Sequence, residues 1–455
     1  MFLKTGHSRS KCLLAVLLAF LELIFCLVPL FATEEKADTD ENGVPIIENC
    51  TGAYLYNFEN DQVLFAQGET ERIYPTATAK IMTGIVAIEK LGNDLNKNVV
   101  ITAEMLKEAG GIKMGLTEGE IVTVEQLLYA SLVNNANDAV IALAYTAAGS
   151  VENFVTLMNE KAAFLGAYNT NYTNPMGLHS NSMVTTVADT AIIAKHAYSI
   201  PLFMEIVSTP KYVMEATNQS DYRNLYNRNS LISKFYNSSY AYSRAIGMNA
   251  GSTSQGGYCI CAVTEDPASG LSYLAIVMGG KEVDGEIYSY ANAITLFEWA
   301  FDSFTYIEVL RQDKIVCELP VKLSSALDYV TLVPETGITV YLPASTIVEQ
   351  DIRYSYNTYE DSLNAPIAAG QTAGTITVLM GDKILGSCNL ITTSSVTRSE
   401  FLYFLARIKE FSKGRFFKAT LISIVIFSVA YVFIKAGWRE HRMRKRSRNI
   451  GGRPY

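Results

Sequence analysis

An apolar run near the C-terminus constrains the fold of this chain more than any other feature does. Residues 416–434 contain a single charge, Lys418, which lies close enough to the start of the run for its ammonium to reach the membrane surface. A run of about 20 apolar residues is long enough to cross the hydrocarbon core as a helix. We therefore predict a single transmembrane helix at 416–434, with soluble domains before it.

The segments at the two ends of the chain predict its orientation. Residues 435–455 carry eight cations and one acid, which is typical of a cytoplasmic flank. At the other end, the apolar residues 12–31 follow three cations, so we expect residues 1–32 to be a signal peptide. Leu30 is unfavourable next to a cleavage position, and an uncleaved signal anchor is the alternative. In both cases the region between the apolar segments is predicted to lie outside the cell.

The charge of this outer region limits its ligands. The whole chain has a formal net charge of −8, of which residues 435–455 contribute +7 and residues 1–32 contribute +2, leaving −17 on residues 33–434. An outer region this acidic argues against nucleic acid as a partner. The basic tail directly follows the predicted span, so we expect it to contact membrane lipid headgroups.

Changes in residue pattern divide the outer region into four parts. We predict an acidic leader at 33–51, a domain of mixed helices and strands at 52–304, a small all-β domain at 305–396 and an amphipathic linker at 397–415. Apolar periodicity in the first domain predicts helices at 74–91, within 123–148, and at 151–165, 186–196 and 287–301, and strands within 52–68, 242–263 and 271–278.

Cysteines and histidines give no metal motif. Cys259 and Cys261 share one face of a predicted strand and cannot easily bond each other, whereas Cys317 and Cys388 could pair. The spacing Cys-x-x-Cys is absent from the sequence and the four histidines are scattered, so we expect neither a cofactor nor a metal site.

Several segments match one enzyme family in order and spacing. They are KIMTGIVAIE at 80–89, GLTEGEIVTVEQLLYASL at 115–132, NANDAVIALA at 135–144, NPMGL at 174–178, GGYCICAV at 256–263 and APIAAGQTAGTITVLMGDKILGSCNL at 365–390. The chain thus resembles the D-alanyl-D-alanine carboxypeptidases of the low-molecular-weight penicillin-binding class, peptidase family S11. This resemblance implies an α/β (α+β) domain of the β-lactamase and penicillin-binding transpeptidase type, followed by a β domain. It also implies a place on the outer face of a bacterial membrane and peptidoglycan stem peptides as the ligand.

The nucleophile motif of that family is altered here. In the family, Ser-x-x-Lys at the start of a helix places a hydroxyl and an amine on one face, so that the lysine can take the serine proton. Lys80 is present, but the serine position is Ala77, which has no oxygen to attack a carbonyl. Thr76, four residues before Lys80, is a candidate for a displaced nucleophile; the alternative is an ordinary threonine at a helix start.

The two other family motifs are altered as well. The resemblance aligns Ser-x-Asn with Asn135-Ala136-Asn137, so the asparagine is kept as Asn137 while the relay serine has become Asn135. It aligns the substrate-binding Lys-Thr-Gly with Asn249-Ala250-Gly251, which lacks the cation and the hydroxyl. We therefore predict that Lys80 and Asn137 are remnants of a catalytic set, and that residues 249–251 are remnants of a substrate-binding strand.

Two functions are compatible with this pattern. We favour a catalytically inactive member of the family that binds peptidoglycan or a cell-envelope protein. The alternative is an active carboxypeptidase that uses Thr76. A protein that captures β-lactams covalently would need the serine that position 77 lacks. The tyrosine-rich stretch 222–242 could stack on sugars or on a partner, or could be a polar loop crossing the cleft.

Overall fold

The structure is a computed structural model that describes residues 39, 40 and 43–448. The predicted signal peptide at 1–32 and the end of the basic tail lie outside the described residues. The chain folds as two compact units, the first ending at Ser303 and the second beginning at Phe304.

The first unit mixes strands and helices along the chain. Its strands are β1 (Gly52–Asn57), β2 (Gln62–Gln67), β3 (Asn98–Val100), β4 (Ile121–Thr123), β5 (Lys211–Met214), β6 (Arg223–Tyr226), β7 (Ala245–Thr253), β8 (Gly257–Asp266), β9 (Leu271–Gly280), β10 (Glu282–Val283) and β11 (Glu286–Ile287). Its α-helices are α1 (Ala79–Leu91), α2 (Ala103–Glu108), α3 (Val124–Leu132), α4 (Asn137–Ala148), α5 (Val151–Leu165), α6 (Val187–Tyr198), α7 (Pro201–Val207) and α8 (Tyr288–Ser303).

A five-stranded antiparallel sheet organises this unit. Its strand order is β2-β1-β9-β8-β7, which leaves β7 at one edge. Nearly every residue of β9 is buried, as is the middle of β8, so both faces of the sheet centre are covered. The edge position of β7 matters for function because its outer backbone groups are available to elements outside the sheet.

Helix α1 lies at the centre of the helical part. It is buried along nearly its whole length and packs against α3, α4, α5, α6 and α7. Because even its first turn is buried, Lys80 is enclosed along with its apolar neighbours.

Two predicted helical regions are interrupted at residues with positive φ. The region 74–91 begins with a 3₁₀ turn at Thr76–Thr78 before α1, and Thr76 has a φ of 49°. The region 123–148 is two helices, α3 and α4, separated where Asn135 has a φ of 59°. Left-handed backbone cannot continue a right-handed helix, and the sequence pattern did not reveal either break.

A hairpin of β5 and β6 is the main element that the sequence analysis did not predict. Its Arg223 donates hydrogen bonds of 2.7 and 3.1 Å to the two carboxylate oxygens of Glu120, whose side chain is fully buried. The Thr217 hydroxyl donates to the same carboxylate at 2.8 Å. This ion pair ties the hairpin to the segment before β4.

The second unit contains a β domain and two C-terminal helices. Its elements are β12 (Phe304–Leu310), β13 (Cys317–Lys322), β14 (Tyr329–Pro334), β15 (Ile338–Pro343), α9 (Val348–Asp351), β16 (Ile352–Thr358), β17 (Leu363–Asn364), β18 (Thr372–Met380), β19 (Lys383–Thr392), α10 (Glu400–Lys413) and α11 (Arg415–Arg448). The strand order of its main sheet is β16-β18-β19-β14-β13-β17.

The sheet order explains why the two cysteines of this domain are free thiols. Cys317 lies on β13 and Cys388 on β19, and β14 runs between those two strands. Neighbouring strands are about 4.8 Å apart, so two strand spacings exceed the reach of a disulfide.

Both C-terminal helices expose apolar side chains. On α10 the exposed apolar residues recur at helical spacing, as expected for the predicted linker at 397–415; they are Phe401, Phe404, Leu405, Ile408 and Phe411. Helix α11 contains the predicted span 416–434, and its part from Arg415 to Arg444 is long and apolar enough to cross a membrane.

The buried ion pair gives a prediction about stability. Burial alone would raise the pKa of Glu120, but hydrogen bonds from Arg223, Thr217 and the Thr117 N–H lower it below its ordinary value. The stabilisation is therefore present above the ordinary pKa and is lost as the pH falls through the folded-state value. We expect Glu120→Gln to cost about 3 kcal/mol near pH 7, because Arg223 loses its charge partner.

The measurement is urea unfolding of the detergent-solubilised chain, followed by tryptophan fluorescence, since Trp299 is buried in the first unit. The difference in the free energy of unfolding between the wild type and Glu120→Gln should narrow as the pH falls below about 4. Glu118→Gln, at an exposed position two residues away, is the matched control and should leave stability within about 0.5 kcal/mol. Equal losses in both variants would contradict the prediction.

Candidate active site

The turn at Thr76–Thr78 brings Ala77 to the edge of the sheet. A Cβ built on Gly251 of β7 would lie 2.6 Å from the Ala77 Cβ, so position 251 tolerates only glycine at this approach. The structure therefore brings together the turn and the strand that the resemblance aligned with the nucleophile and substrate-binding motifs. At their meeting point, position 77 presents a methyl group and no hydroxyl.

Lys80 lies one turn further along α1 and is 3% exposed. Its Nζ donates a 2.5 Å hydrogen bond to the backbone carbonyl of Met176. Burial lowers the pKa of Lys80 to about 7, because an ammonium loses its hydration in this site. A large fraction of the amine is thus neutral near pH 7, as a general base requires, yet the family's hydroxyl is not there for it to deprotonate.

The loop that accepts this hydrogen bond is fixed in place. The Asn174 side-chain oxygen accepts hydrogen bonds from the N–H groups of Met176 and Leu178 at 3.1 and 3.0 Å. Gly177 has a φ of 78°, and a Cβ there would lie 1.8 Å from the Thr76 carbonyl oxygen. In the sequence, NPMGL at 174–178 is recognisable only as a family match, and its side chains give no sign that the Met176 carbonyl is the partner of the lysine.

Asn135 joins the two sides of the site. Its Nδ2 donates to the carbonyl of Ala250 at 2.9 Å, and its Oδ1 accepts from Asn249 Nδ2 at 2.9 Å. Asn135 is 3% exposed and Asn249 is 2% exposed, so this amide pair is shielded from water. The Ala250 carbonyl lies on the outer edge of β7, and a peptide pairing there would have to displace the Asn135 amide.

Asn137 serves the neighbouring loop. Its Nδ2 donates to the Gly110 carbonyl at 2.6 Å, and its backbone N–H donates to the Ile112 carbonyl at 2.7 Å. The next residue, Asp138, accepts the N–H groups of Met114, Gly115 and Leu116 at 3.1, 2.9 and 3.0 Å. In this structure Asn137 therefore holds α4 against the loop before β4.

Thr76 forms no hydrogen bond between its hydroxyl and the amine of Lys80. Its side chain is 1% exposed, and its hydroxyl lies beside the Cys259 thiol without a partner in normal hydrogen-bond geometry. Its methyl group lies 2.3 Å from where a Cβ on Gly256 would be. A lysine-activated nucleophile needs its hydroxyl within hydrogen-bond reach of the amine, and Lys80 donates to Met176 instead. Thr78 donates its hydroxyl to the Pro75 carbonyl at 2.5 Å.

A polar cavity of about 630 Å³ opens beyond the outer end of β7. Its lining includes Arg72, Tyr74, Ser252, Tyr258 and Lys281, and does not include Ala77 or Lys80. Within the described residues, no group of three or more His, Cys, Asp or Glu side chains is placed to hold a metal ion.

The burial of Lys80 gives a second prediction. The pKa difference between 10.5 and about 7 corresponds to a cost of up to about 5 kcal/mol for keeping the charged form buried. The full cost applies below about pH 7, where Lys80 is protonated in both the folded and the unfolded chain, and the cost declines as the pH rises toward 10.5. We expect Lys80→Met to raise the free energy of unfolding by about 2–4 kcal/mol at pH 6, less the lost hydrogen bond to Met176.

Urea unfolding of the detergent-solubilised chain at a series of pH values measures this effect. The gain in the free energy of unfolding of Lys80→Met over the wild type should decrease steadily between about pH 7 and pH 10. Lys90→Met, at the exposed end of the same helix, is the control and should show no such trend. A destabilised Lys80→Met variant at pH 6 would show that the amine stabilises the fold.

Comparisons with known proteins agree with this arrangement. The family model for D-alanyl-D-alanine carboxypeptidase matches residues 46–282, just over half of the chain, and the model for the C-terminal domain of penicillin-binding protein 5 matches residues 304–398. Together with the structural likeness below, these matches confirm the predicted fold class.

Individual relatives share most of the chain at low identity. The D-alanyl-D-alanine carboxypeptidase DacF of Bacillus subtilis is 27% identical over 405 residues, which cover 87% of this chain and 97% of the relative. DacA of Escherichia coli is 25% identical over 375 residues, covering 79% and 86%. The crystal structure of penicillin-binding protein 5 from Haemophilus influenzae shows a TM-score of 0.55 at 25% identity, covering 78% of this chain and 99% of that one. This chain therefore belongs to the D-alanyl-D-alanine carboxypeptidase family.

Proposed function

We propose that this protein is a catalytically inactive member of its family, which binds peptidoglycan or a cell-envelope partner at the outer face of a bacterial membrane. The observation that carries the proposal is the pairing of Ala77 with Lys80. The amine is present, buried and partly neutral near pH 7, but it donates to the Met176 carbonyl, and the neighbouring side chain is a methyl group.

The energetic consequence of a missing nucleophile is large. Removing a catalytic serine from a hydrolase costs on the order of a million-fold in turnover, which corresponds to about 8 kcal/mol of barrier. Thr76 could compensate only if its hydroxyl reached Lys80, and its burial beside Cys259 favours a structural role. The geometry thus supports inactivity over a displaced nucleophile.

Residues 249–251, which align with the family's substrate-binding motif, also support inactivity. Position 249 carries an uncharged amide that is 2% exposed, so it supplies no cation for a terminal carboxylate. The Asn135 amide donates a hydrogen bond to the Ala250 carbonyl, at the position where an extended peptide would add to the edge of the sheet. Residues 249–251 therefore close the site, which favours ligand binding on another surface of the domain.

Residues at the ends of the chain support attachment to a membrane. We propose that residues 1–32 direct export, that 416–434 within α11 crosses the bilayer once, and that the basic tail at 435–455 lies in the cytoplasm. The amphipathic helix α10 directly precedes the span and could rest on the outer leaflet. This topology places the domain at 52–304 and the β domain at 305–396 beside the peptidoglycan.

Penicillin labelling tests the inactivity. We expect no covalent adduct when the detergent-solubilised chain is incubated with a fluorescent penicillin and measured by intact mass, since acylation needs an oxygen at position 77. The triple reversion Ala77→Ser, Asn135→Ser, Asn249→Lys should acquire a labelled species. The double reversion Asn135→Ser, Asn249→Lys is the matched control and should stay unlabelled.

An adduct on the native chain that maps to Thr76 would overturn the inactive assignment in favour of the active carboxypeptidase. Release of D-alanine from a peptide ending in D-Ala-D-Ala, at a rate within about a hundred-fold of the triple reversion, would do the same. Binding is measured separately, by sedimenting the chain with purified peptidoglycan sacculi, where saturable pelleting is expected.

A further inference from the structure

Three aromatic side chains form an exposed platform beside the site. We call Tyr226, Phe235 and Tyr236 the aromatic platform. Phe235 is 58% exposed, and its ring stacks on that of Tyr226 with centroids 3.6 Å apart and planes 5° apart. Tyr236 is 41% exposed and meets Phe235 edge-on, with centroids 5.0 Å apart at 90°. Tyr226 supports one face of Phe235, and the exposure of Phe235 leaves ring surface open to a ligand.

Hydrogen bonds join the platform to the turn that carries Asn135. Asn134 Nδ2 donates at 3.4 Å both to the Tyr226 carbonyl and to the Tyr236 hydroxyl. The Arg228 N–H donates to the Val133 carbonyl at 3.0 Å. Fixed aromatic rings lose little conformational entropy when a ligand covers them, so this surface is preorganised for binding.

Polar donors border the aromatic rings. The Arg228 guanidinium lies 4.1 Å from the Tyr236 ring centroid, and Lys211 Nζ lies 5.4 Å from that of Tyr226. Lys234, next to Phe235 in the chain, is exposed. A flat apolar face with hydrogen-bond donors at its rim fits a sugar ring, which presents an apolar C–H face and a polar edge of hydroxyl and acetamido groups.

We propose that the aromatic platform binds the glycan strand of peptidoglycan, with the C–H face of an N-acetylated hexose covering Phe235 and its polar edge turned toward Arg228. This inference rests on the proposed function and specifies its ligand as the sugar chain, since residues 249–251 do not offer a site for the stem peptide. The alternative occupant of an exposed aromatic surface is a protein. The flat Tyr226–Phe235 stack and the hydrogen-bond donors at its rim favour the sugar.

The experiment is a calorimetric titration of the full chain in detergent with the β-1,4-linked hexamer of N-acetylglucosamine. Two variants test the stack: Phe235→Ala removes the side chain, and Phe235→Leu keeps an apolar side chain on Tyr226 but removes the flat face. Both should weaken binding of the hexamer about ten-fold or more. Phe164→Ala is the matched control, because Phe164 is also an exposed aromatic residue (81%) with a lysine nearby, Lys161 Nζ being 5.2 Å from its ring centroid. Phe164 lies on α5, outside the platform, so this variant should bind the hexamer as the wild type does.

Unchanged binding by Phe235→Leu would overturn the inference, because an apolar contact without a flat face would then suffice. The absence of saturable hexamer binding by the wild type would also overturn it. Thermal unfolding of each variant shows whether it is folded. Sedimentation with sacculi separates this inference from the proposed function. If the wild type and Phe235→Ala pellet with sacculi equally well, the protein binds peptidoglycan but the aromatic platform is not the binding surface. A chain that does not pellet at all overturns both.

Discussion

The burial of helix α1 is the constraint on which the site depends. Because its first turn is enclosed by the sheet edge and the surrounding helices, Lys80 cannot reach water, and its amine must find a partner inside the protein. The loop at 174–178 supplies the Met176 carbonyl, and Gly177 allows that loop to approach the Thr76 backbone. The same packing that would activate a lysine in an enzyme here encloses an amine that donates to one backbone carbonyl, and position 77 presents a methyl group instead of a hydroxyl.

The family's architecture could be predicted from the sequence because the segments that identify it are core segments. KIMTGIVAIE at 80–89 and GGYCICAV at 256–263 became α1 and the start of β8, both largely buried. The predicted order of a mixed domain, a β domain and an apolar C-terminal helix agrees with the structure and the comparisons. Strong apolar patterning carries this information, since a buried face admits few residue types.

The contacts within the site could not be predicted in the same way. The bond between Lys80 and the Met176 carbonyl involves a backbone atom, which no side-chain pattern encodes. Left-handed backbone is uncommon at threonine, and even asparagine, which adopts it more often, does so at a minority of positions, so the breaks at Thr76 and Asn135 were not visible in the periodicity. The β5–β6 hairpin depends on Arg223 and Glu120, which are more than a hundred residues apart in the chain.

The amide side chains at positions 135 and 249 are physically coupled. The two amides bond each other in a water-free contact, with the Asn135 oxygen accepting from the Asn249 nitrogen. A lysine at 249 facing this amide would bury an ammonium with one neutral acceptor, which is costly, whereas the amide pair carries no charge. The Asn135 nitrogen also satisfies the Ala250 carbonyl, so one side chain bonds to two consecutive residues of β7. Asn135 thus joins the turn to the strand, while three buried polar atoms of the site have no partner: Thr76 Oγ1, Asn137 Oδ1 and Asn249 Oδ1. The amide pair therefore supports the proposed inactive assignment, because a lysine at 249 would disrupt the contact that joins the turn to the strand.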